Sequence, residues 1–312
     1  MPEVRDGNDP GIEMVATKKR GSRVLFQDTA GTQQDRLHRK PAARPGHKFL
    51  FVSSINAVGK TTVALNVALA LSKKGFKIGL LDLDPSGPDI HRILGIDRPF
   101  EPDSRGRFIP GIYSANLKVA AIRHVPQSME KMTGRRKSGE AADIQRFVHN
   151  ISWRKLDYLF ADTAPGSGNA LRDVIRSMPD AKIIIVTAPE KISAVQAKKT
   201  IDFFRKEKIQ IFGWVENMRG FLCQRCSQRQ ELFSTGTGKR AVFLMDVPFL
   251  GRIPIDPHLA ERAQAGQPYL EKYQDAEAAI AFNQVAEMIL KLCKAERAER
   301  NENIGLRKRR QR

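Results

Sequence analysis

The sequence lacks the features of a membrane-spanning protein and of a disulfide-stabilised secreted protein. No run of about eighteen apolar residues, the length of a membrane-spanning helix, is present. The first ten residues, M-P-E-V-R-D-G-N-D-P, do not have the basic-then-apolar order of a signal peptide. The 312 residues include three cysteines, too few for a disulfide framework. We therefore expect a cytoplasmic chain, long enough for one large α/β domain or two small ones.

Part of the positive charge lies in three basic segments, in which Phe26 is the one aromatic residue of the Phe, Tyr or Trp type. The formal net charge is +19, and basic side chains are concentrated in residues 18–44, in Arg135–Lys137 and in Arg307–Arg312. Such runs can neutralise the phosphates of nucleic acid or of anionic lipid. Without a series of interleaved aromatic residues or a nucleic-acid-binding module, solvated and disordered basic segments are favoured over contact with nucleic acid or membrane.

The remaining sequence alternates between short apolar runs and amphipathic segments. Continuous apolar runs of the kind buried on both faces predict strands at Ile78–Leu83, Tyr158–Ala161, Lys182–Thr187 and Ile211–Val215. Helices are predicted at Glu140–Asn150, Ile192–Arg205 and Ala276–Glu299. This alternation is typical of an α/β fold with a doubly wound, mostly parallel sheet and helices on both faces. Ligands of such sheets bind beyond the carboxyl ends of the strands.

A phosphate-binding loop is predicted between the first strand and the first helix. Residues 52–62 read V-S-S-I-N-A-V-G-K-T-T and follow the apolar run Phe49–Val52. In such a loop, backbone N–H groups at a helix N-terminus face the phosphates, the lysine reaches the β- and γ-phosphates, and the threonine hydroxyl binds Mg²⁺. The residues predicted to hold the nucleotide are Ser54, Asn56, Ala57, Val58, Gly59, Lys60, Thr61 and Thr62.

This loop departs from the usual pattern at three positions. Ser54 stands where the motif has its first glycine. Asn56 and Ala57 occupy two further positions at which glycine would let the backbone curl at the lowest cost. A chance G-K-T before an ordinary helix is the alternative, which the strand–loop–helix placement disfavours.

Acidic residues close two of the predicted strands. Asp82 and Asp84 follow the second strand, and Asp162 follows the strand that begins at Tyr158. Carboxylates at these positions can orient an attacking water or hold Mg²⁺, so Lys60, Asp84 and Asp162 are the predicted catalytic residues. The alternative is a capping role for Asp82 and Asp84 and an ordinary strand–turn at Asp162.

Later strand ends predict contacts with the base of the nucleotide. Asn217 follows a strand, and its amide can pair with the edge of a purine. Pro254 and Asp256, in I-P-I-D-P, are predicted to line the base.

Taken in order, these segments resemble the MinD/ParA group of deviant Walker A ATPases and, within it, the Mrp/ApbC iron–sulfur cluster carriers. The resemblance spans residues 48–270 and rests on four segments: L-L-D-L-D-P-S-G-P-D-I-H-R-I-L-G (80–95), D-T-A-P-G-S-G-N (162–169), V-E-N-M-R-G-F-L-C-Q-R-C (215–226) and F-L-G-R-I-P-I-D-P (249–257). It implies a P-loop ATPase domain, predicted over residues 48–300, with a C-x-x-C insertion. The composition predicts a disordered extension before this domain (1–47) and a basic tail after it (301–312). The resemblance also implies an ATP-dependent homodimer, or a heterodimer with an orthodox Mrp-type ATPase, that passes a bridging [4Fe–4S] cluster to apo iron–sulfur proteins.

The cysteine spacing agrees with a shared metal site. A [4Fe–4S] cluster needs four thiolates, and Cys223 and Cys226 supply two. Because no second C-x-x-C exists, another copy or a partner chain must complete the set. A four-thiolate zinc site has the same stoichiometry, and an unloaded thiol pair also remains open. Cys293 lies beside an apolar helical stripe and is predicted to be a buried core thiol.

Departures from the family pattern concern catalysis above all. Ile55 replaces the signature lysine that reaches the nucleotide of the partner subunit in this family. Cations supplied in trans contribute about 10³–10⁵ in rate, so slow hydrolysis is expected. Two further replacements are Asn169 for Asp and Gln224 for the Pro of C-P-x-C. A ParA/MinD-like regulatory or positioning ATPase, or a degenerate nucleotide-binding subunit, are the alternative functions.

Overall fold

The computed structural model describes residues 45–84, 86–87, 89–96, 103, 107–124, 140–166, 168–189, 191–222, 226, 228–230 and 246–310. Three sequence expectations fall outside these ranges. They are the disordered extension up to residue 44, the basic segment Arg135–Lys137, and the position of Cys223.

Ten strands are present in the described residues. They are β1 (His47–Val52), β2 (Ile78–Leu83), β3 (Gly111–Ser114), β4 (Leu117–Ala121), β5 (Tyr158–Thr163), β6 (Lys182–Thr187), β7 (Ile211–Glu216), β8 (Phe221–Leu222), β9 (Arg229–Gln230) and β10 (Phe249–Arg252). Eight of them form one sheet in the order β10-β7-β6-β1-β5-β2-β4-β3, and β8 pairs with β9 in a separate hairpin. Only the β3–β4 pair of the large sheet is antiparallel, which confirms the predicted mostly parallel α/β architecture.

The helices cover both faces of this sheet. They are α1 (Lys60–Lys73), α2 (Ile90–Ile93), α3 (Glu140–Asn150), α4 (Asn169–Ser177), α5 (Lys191–Lys206), α6 (His258–Gln264), α7 (Tyr269–Lys272) and α8 (Glu277–Arg310), with a short 3₁₀ helix at Ile122–His124. One apolar core lies between the sheet and the helices α1 and α8, and the other lies on the opposite face, under α3, α4 and α5. Apolar residues occur on nearly all sides of α1, so the helix can be buried on nearly all sides.

The central strands explain why the ligand site forms where it does. β1 lies between β5 and β6, and β2 lies on the far side of β5. All six residues of β2 and all six of β5 are buried, which their apolar sequences permit. In the parallel register Asp82 is opposite Asp162, so the acidic ends of the two strands meet at one edge.

Several boundaries differ from those expected from the sequence. β5 includes Asp162 and Thr163 because the ladder with β2 continues after the apolar run has ended. The last helix does not stop at Glu299 but runs to Arg310, so residues 301–310 of the basic tail are helical rather than disordered. Its Arg, Lys, Glu and Leu residues have high helix propensity, and the one glycine, Gly305, costs only about 1 kcal/mol. Among the described helices, none has the length and apolar character that a bilayer crossing requires.

Candidate nucleotide-binding site

The loop between β1 and α1 has the backbone geometry of a phosphate-binding loop. Gly59, immediately before α1, has a left-handed φ of 75°. A Cβ atom at Gly59 would lie 2.2 Å from Nδ2 of Asn217, so no other residue fits without displacing that amide. Ala57 also has a positive φ, 62°, although it carries a side chain. A left-handed conformation costs about 1–2 kcal/mol in a non-glycine residue. This cost is expected at Ala57, because the usual loop has glycine at this position.

Lys60 and Thr61 begin α1 and contact the acidic end of β5. The Lys60 ammonium donates to Oδ1 of Asp162 at 2.5 Å, and the Thr61 hydroxyl donates to Oδ2 of the same carboxylate at 2.5 Å. Nζ of Lys60 also lies 3.7 Å from Oδ2 of Asp84. All four side chains are buried. The sequence-predicted lysine, threonine and two carboxylates therefore form one cluster at the carboxyl edge of the sheet.

Burial dominates the ionisation of the acidic strand ends. Burial raises the pKa of Asp162 above its ordinary value, although Lys60 and Thr61 oppose the rise. Burial, together with the charge of Asp162, raises the pKa of Asp82 to about 7. Asp82 is held by the backbone N–H groups of Asp84 and Ile90, at 3.1 and 3.4 Å. The site thus contains a third buried carboxylate, Asp82, which takes up a proton near neutral pH.

Hydrogen bonds from two side chains, Asp84 and Arg123, fix the conformation of the segment after β2. Oδ1 of Asp84 accepts the N–H groups of Ser86 and Gly87 at 3.1 and 2.9 Å. Arg123, in the 3₁₀ helix after β4, donates to the carbonyl oxygens of Asp84 and Gly87 at 3.0 and 2.7 Å. These contacts hold the Asp84 carboxylate near Lys60. Arg123 was not predicted from the sequence, because it belongs to no motif and follows β4, a strand that the sequence did not predict.

A cavity of about 500 Å³ opens in front of the loop. It is lined by Ser53, Asn56, Ala57, Val58, Gly59, Lys60, Thr61, Thr62, Asp84, Ser86, Gly87, Ala164 and Pro165. Seven of the eight predicted loop residues therefore face one cavity, which has the Lys60 ammonium and the helix N-terminus at its base.

Ser54, the eighth loop residue, is not part of this lining. Its hydroxyl forms a hydrogen bond of 3.0 Å with the Thr200 hydroxyl on α5. Ile55, at the position of the signature lysine, is partly buried and packs against the core on the α1 side of the sheet. It has no group that could donate to a phosphate.

The residues predicted to contact the base have other partners. Nδ2 of Asn217 donates to the carbonyl oxygen of Val58 at 2.9 Å, so this amide supports the phosphate-binding loop from behind. The Asp256 carboxylate accepts a hydrogen bond from the Tyr269 hydroxyl and lies 2.9 Å from Nδ1 of His258. Pro254 is buried, and none of the three lines the cavity.

Cys226 lies on a hairpin beyond the end of β7. It is exposed and forms no disulfide, and β8 and β9 flank it as an antiparallel pair. A bridge between Phe221 and Ile255 connects this hairpin to the segment that follows β10. Cys293 is buried, as predicted, and burial raises the pKa of its thiol to about 11. Of these two cysteines, only Cys226 is accessible to a ligand.

Comparison with known proteins agrees with this geometry. A model of the family described as NUBPL iron-transfer P-loop NTPase, of the ParA type, matches residues 46–290. A cytosolic Fe-S cluster assembly factor NUBP1 homolog of Brugia malayi is 35% identical over 252 residues, 78% of this chain and 81% of the relative. An iron-sulfur cluster carrier protein of Methanocaldococcus jannaschii is 34% identical over 260 residues, 83% of this chain and 89% of the relative.

A solved structure supports the same relationship. The nucleotide-binding protein of Archaeoglobus fulgidus, determined in complex with ADP, superposes with a TM-score of 0.61 at 27% identity. The match covers 75% of this chain and 94% of that protein.

Proposed function

The chain belongs to the NUBPL iron-transfer P-loop NTPases, and on that premise we propose that it is an ATP-binding carrier that passes an iron–sulfur cluster to apo-proteins. The observation that carries the proposal is the combination of two separate sites. A phosphate-binding cavity contains the buried Lys60–Asp162–Thr61 cluster, and a C-x-x-C segment with the exposed Cys226 lies on another loop.

The nucleotide enters the cavity with its phosphates against the loop. Lys60, paired with Asp162 in the structure, exchanges this partner for the β- and γ-phosphates, and the backbone N–H groups at the start of α1 hold the same oxygens. Thr61, Asp84 and Asp162 offer the oxygen ligands that Mg²⁺ prefers, so their side chains fit the ion that accompanies ATP. When bound, this ion neutralises charge on the phosphates. Asp84 orients the attacking water.

Turnover by the chain alone is slow in this proposal. Ile55 packs against the core. Because its side chain carries no positive charge, it cannot stabilise the negative charge that develops on the phosphates bound by a facing subunit during hydrolysis. Replacing Ile55 with Lys should raise the rate of ATP hydrolysis at least tenfold, a small part of the roughly 10³–10⁵ that trans-acting cations supply. Phosphate release measured on both proteins tests this. Fast turnover by the unmodified chain would contradict it, whereas stimulation by an orthodox partner would indicate a heterodimer.

The cluster is held between two chains. Cys223 and Cys226 provide two thiolates of the four that a [4Fe–4S] cluster requires, so the site is completed by a second copy or by an orthodox relative. The exposure of Cys226 supports transfer, because a client protein can reach a thiolate that is not buried. The relatives named as cytosolic assembly factors support action in the cytoplasm.

The test is anaerobic reconstitution with iron and sulfide. The unmodified chain should gain a thiolate-to-iron absorption band and about two iron atoms per chain, half of a four-iron cluster. The Cys223→Ser/Cys226→Ser variant should bind no iron but should still bind ATP, because the two sites use different loops. Cys293→Ser is the matched control, since it removes a buried thiol elsewhere and should leave iron loading unchanged.

Three results would contradict the proposal. Zinc without iron after anaerobic purification would identify a thiolate zinc site instead. Full iron loading of the double variant would show that the cysteines do not hold the cluster. Retained ATP binding without any metal at the cysteines would favour a ParA/MinD-like regulatory ATPase.

A further inference from the structure

Three potential metal ligands meet beside the nucleotide cavity, and neither nucleotide binding nor cluster transfer uses them. Asp89, His91 and His124 each present one ligand atom, and these three atoms lie within 4.8 Å of one another. We call this group the two-histidine cluster. Within the described residues it is the one group of His, Cys, Asp and Glu side chains with this spacing.

The backbone fixes the orientation of the carboxylate. Asp89 is the N-cap of α2, and its Oδ1 accepts the backbone N–H of His91 at 3.0 Å. Its second oxygen, Oδ2, lies 2.8 Å from Nε2 of His124. The rings of His91 and His124 lie against each other, with centroids 4.6 Å apart and planes inclined by 27°. One carboxylate oxygen is therefore directed at the imidazole of His124, against which the ring of His91 is stacked.

The three side chains differ in their exposure to solvent. His91 is fully buried, whereas the Asp89 and His124 side chains are partly exposed, by 21% and 27%. A neutral imidazole and an ionised carboxylate are the forms that bind metals.

We propose that Asp89, His91 and His124 form a mononuclear site for a divalent transition metal of the Zn²⁺ or Fe²⁺ class. Two imidazoles and one carboxylate form a ligand set that these ions accept with one position left open. Metal–ligand bonds of about 2.0–2.1 Å place neighbouring ligand atoms about 3.3 Å apart, so side-chain movements of about 1.5 Å or less would complete the site. Mg²⁺ is disfavoured because it prefers oxygen ligands.

The position of the cluster suggests what a bound ion would do. Asp89 lies on the same segment as Asp84, and His124 adjoins Arg123, whose guanidinium binds the carbonyl oxygens of Asp84 and Gly87. An ion held by Asp89, His91 and His124 would attach the segment after β2 to the end of β4. It would thereby restrict the movement of the Asp84 carboxylate next to the phosphate-binding cavity.

The experiment is a cobalt titration of the full-length, untagged Cys223→Ser/Cys226→Ser chain after dialysis against a chelator. Removing these thiols excludes metal binding at the C-x-x-C segment. The chain should bind about one Co²⁺ with visible d–d absorption and without a thiolate charge-transfer band. Zn²⁺ and anaerobic Fe²⁺ should displace Co²⁺, whereas millimolar Mg²⁺ should not.

Two further substitutions test the ligand assignment in the same background. Asp89→Asn preserves the helix cap, because Asn caps as well as Asp, but removes the anionic ligand. His124→Gln removes a partly exposed imidazole. Each should weaken Co²⁺ binding more than about 100-fold, beyond the 10–100-fold effect of residues that only support ligands. Circular dichroism and ATP binding should show that both variants are folded.

His258→Gln is the matched control. His258 also lies 2.9 Å from an aspartate, Asp256, but it belongs to no group of three ligands among the described residues. Its substitution should leave Co²⁺ affinity unchanged. Absence of Co²⁺ binding to the thiol-free chain would show that Asp89 and His124 form an ordinary side-chain pair and would overturn the proposal. Undiminished binding in both ligand variants would overturn it equally. Neither of these outcomes bears on the proposed cluster at Cys223 and Cys226, which is tested separately by iron loading of the unmodified chain.

Discussion

Replacing Asp82 with Asn should remove a large part of the pH dependence of stability between pH 5 and pH 8. Asp82 is 1% exposed, and burial together with the charge of Asp162 raises its pKa from 3.8 to about 7. Between pH 5 and pH 7 the native state holds a proton on Asp82 that the unfolded chain has lost. Stability therefore falls as the pH rises toward 7, because the native state binds more protons than the unfolded state.

The magnitude follows from the size of the shift. Each pKa unit corresponds to 1.36 kcal/mol, so the two units between pH 5 and the native pKa correspond to about 2–3 kcal/mol lost from the free energy of unfolding. Asn has no charge to desolvate and keeps an oxygen that can accept one of the two N–H groups bound by Asp82. The variant should accordingly gain about 2–3 kcal/mol relative to the unmodified chain on going from pH 5 to pH 8.

Urea unfolding of the nucleotide-free chain, followed by circular dichroism at several pH values, measures this difference. Asp180→Asn is the control, because Asp180 is an exposed carboxylate paired with Lys48, and its loss should leave the profile parallel to that of the unmodified chain. Parallel profiles for Asp82→Asn and the unmodified chain would refute the reasoning, since they would show that Asp82 has no raised pKa in the native state.

The remaining predictions concern the phosphate-binding loop and its support. Lys60→Ala should abolish ATP binding measured by titration calorimetry, and unchanged affinity would show that the loop does not hold the phosphates. Gly59→Ala should lower the free energy of unfolding by more than the 1–2 kcal/mol of left-handed strain, because its Cβ would displace the Asn217 amide. Gly75→Ala is its control, because Gly75 also has a positive φ, 90°, but no atom lies within 4 Å of the added Cβ. Equal losses of unfolding free energy in the two variants would contradict the clash at Gly59. Arg123→Gln should weaken ATP binding at least several-fold, because it releases the carbonyl oxygens of Asp84 and Gly87. Each of these hydrogen bonds is worth about 1.5–3 kcal/mol. Unchanged affinity for ATP would show that binding does not depend on Arg123.

The residues of the predicted phosphate-binding site could be identified from the sequence because each depends on local features. A strand followed by G-K-T and an apolar helix defines the loop around Lys60, and an acidic residue after an apolar run identifies Asp162. Parallel strands bring their carboxyl ends to one edge, so a cluster of these side chains was expected. The structure joins Lys60 and Asp162, which are 102 residues apart, by a hydrogen bond of 2.5 Å.

Side-chain partners that depend on the packing of distant segments could not be predicted. Asn217 stays a predicted base contact, and the structure adds a partner that no motif indicates, the carbonyl oxygen of Val58, 159 residues away along the chain. Asp256 also stays a predicted base contact, and the structure adds the Tyr269 hydroxyl as a partner. In both cases the residue type does not identify the protein partner, which depends on the arrangement of the surrounding loops.

The sequence by itself determined the α/β class and the phosphate-binding loop, because periodicity and short motifs depend on residues close together in the chain. The tertiary structure alone decided which side chains share a site. Asp89 and His124 are 35 residues apart, and no spacing rule relates them. They meet because β2 and β4 are parallel neighbours whose carboxyl ends lie side by side, which places the segments that follow both strands within hydrogen-bonding distance.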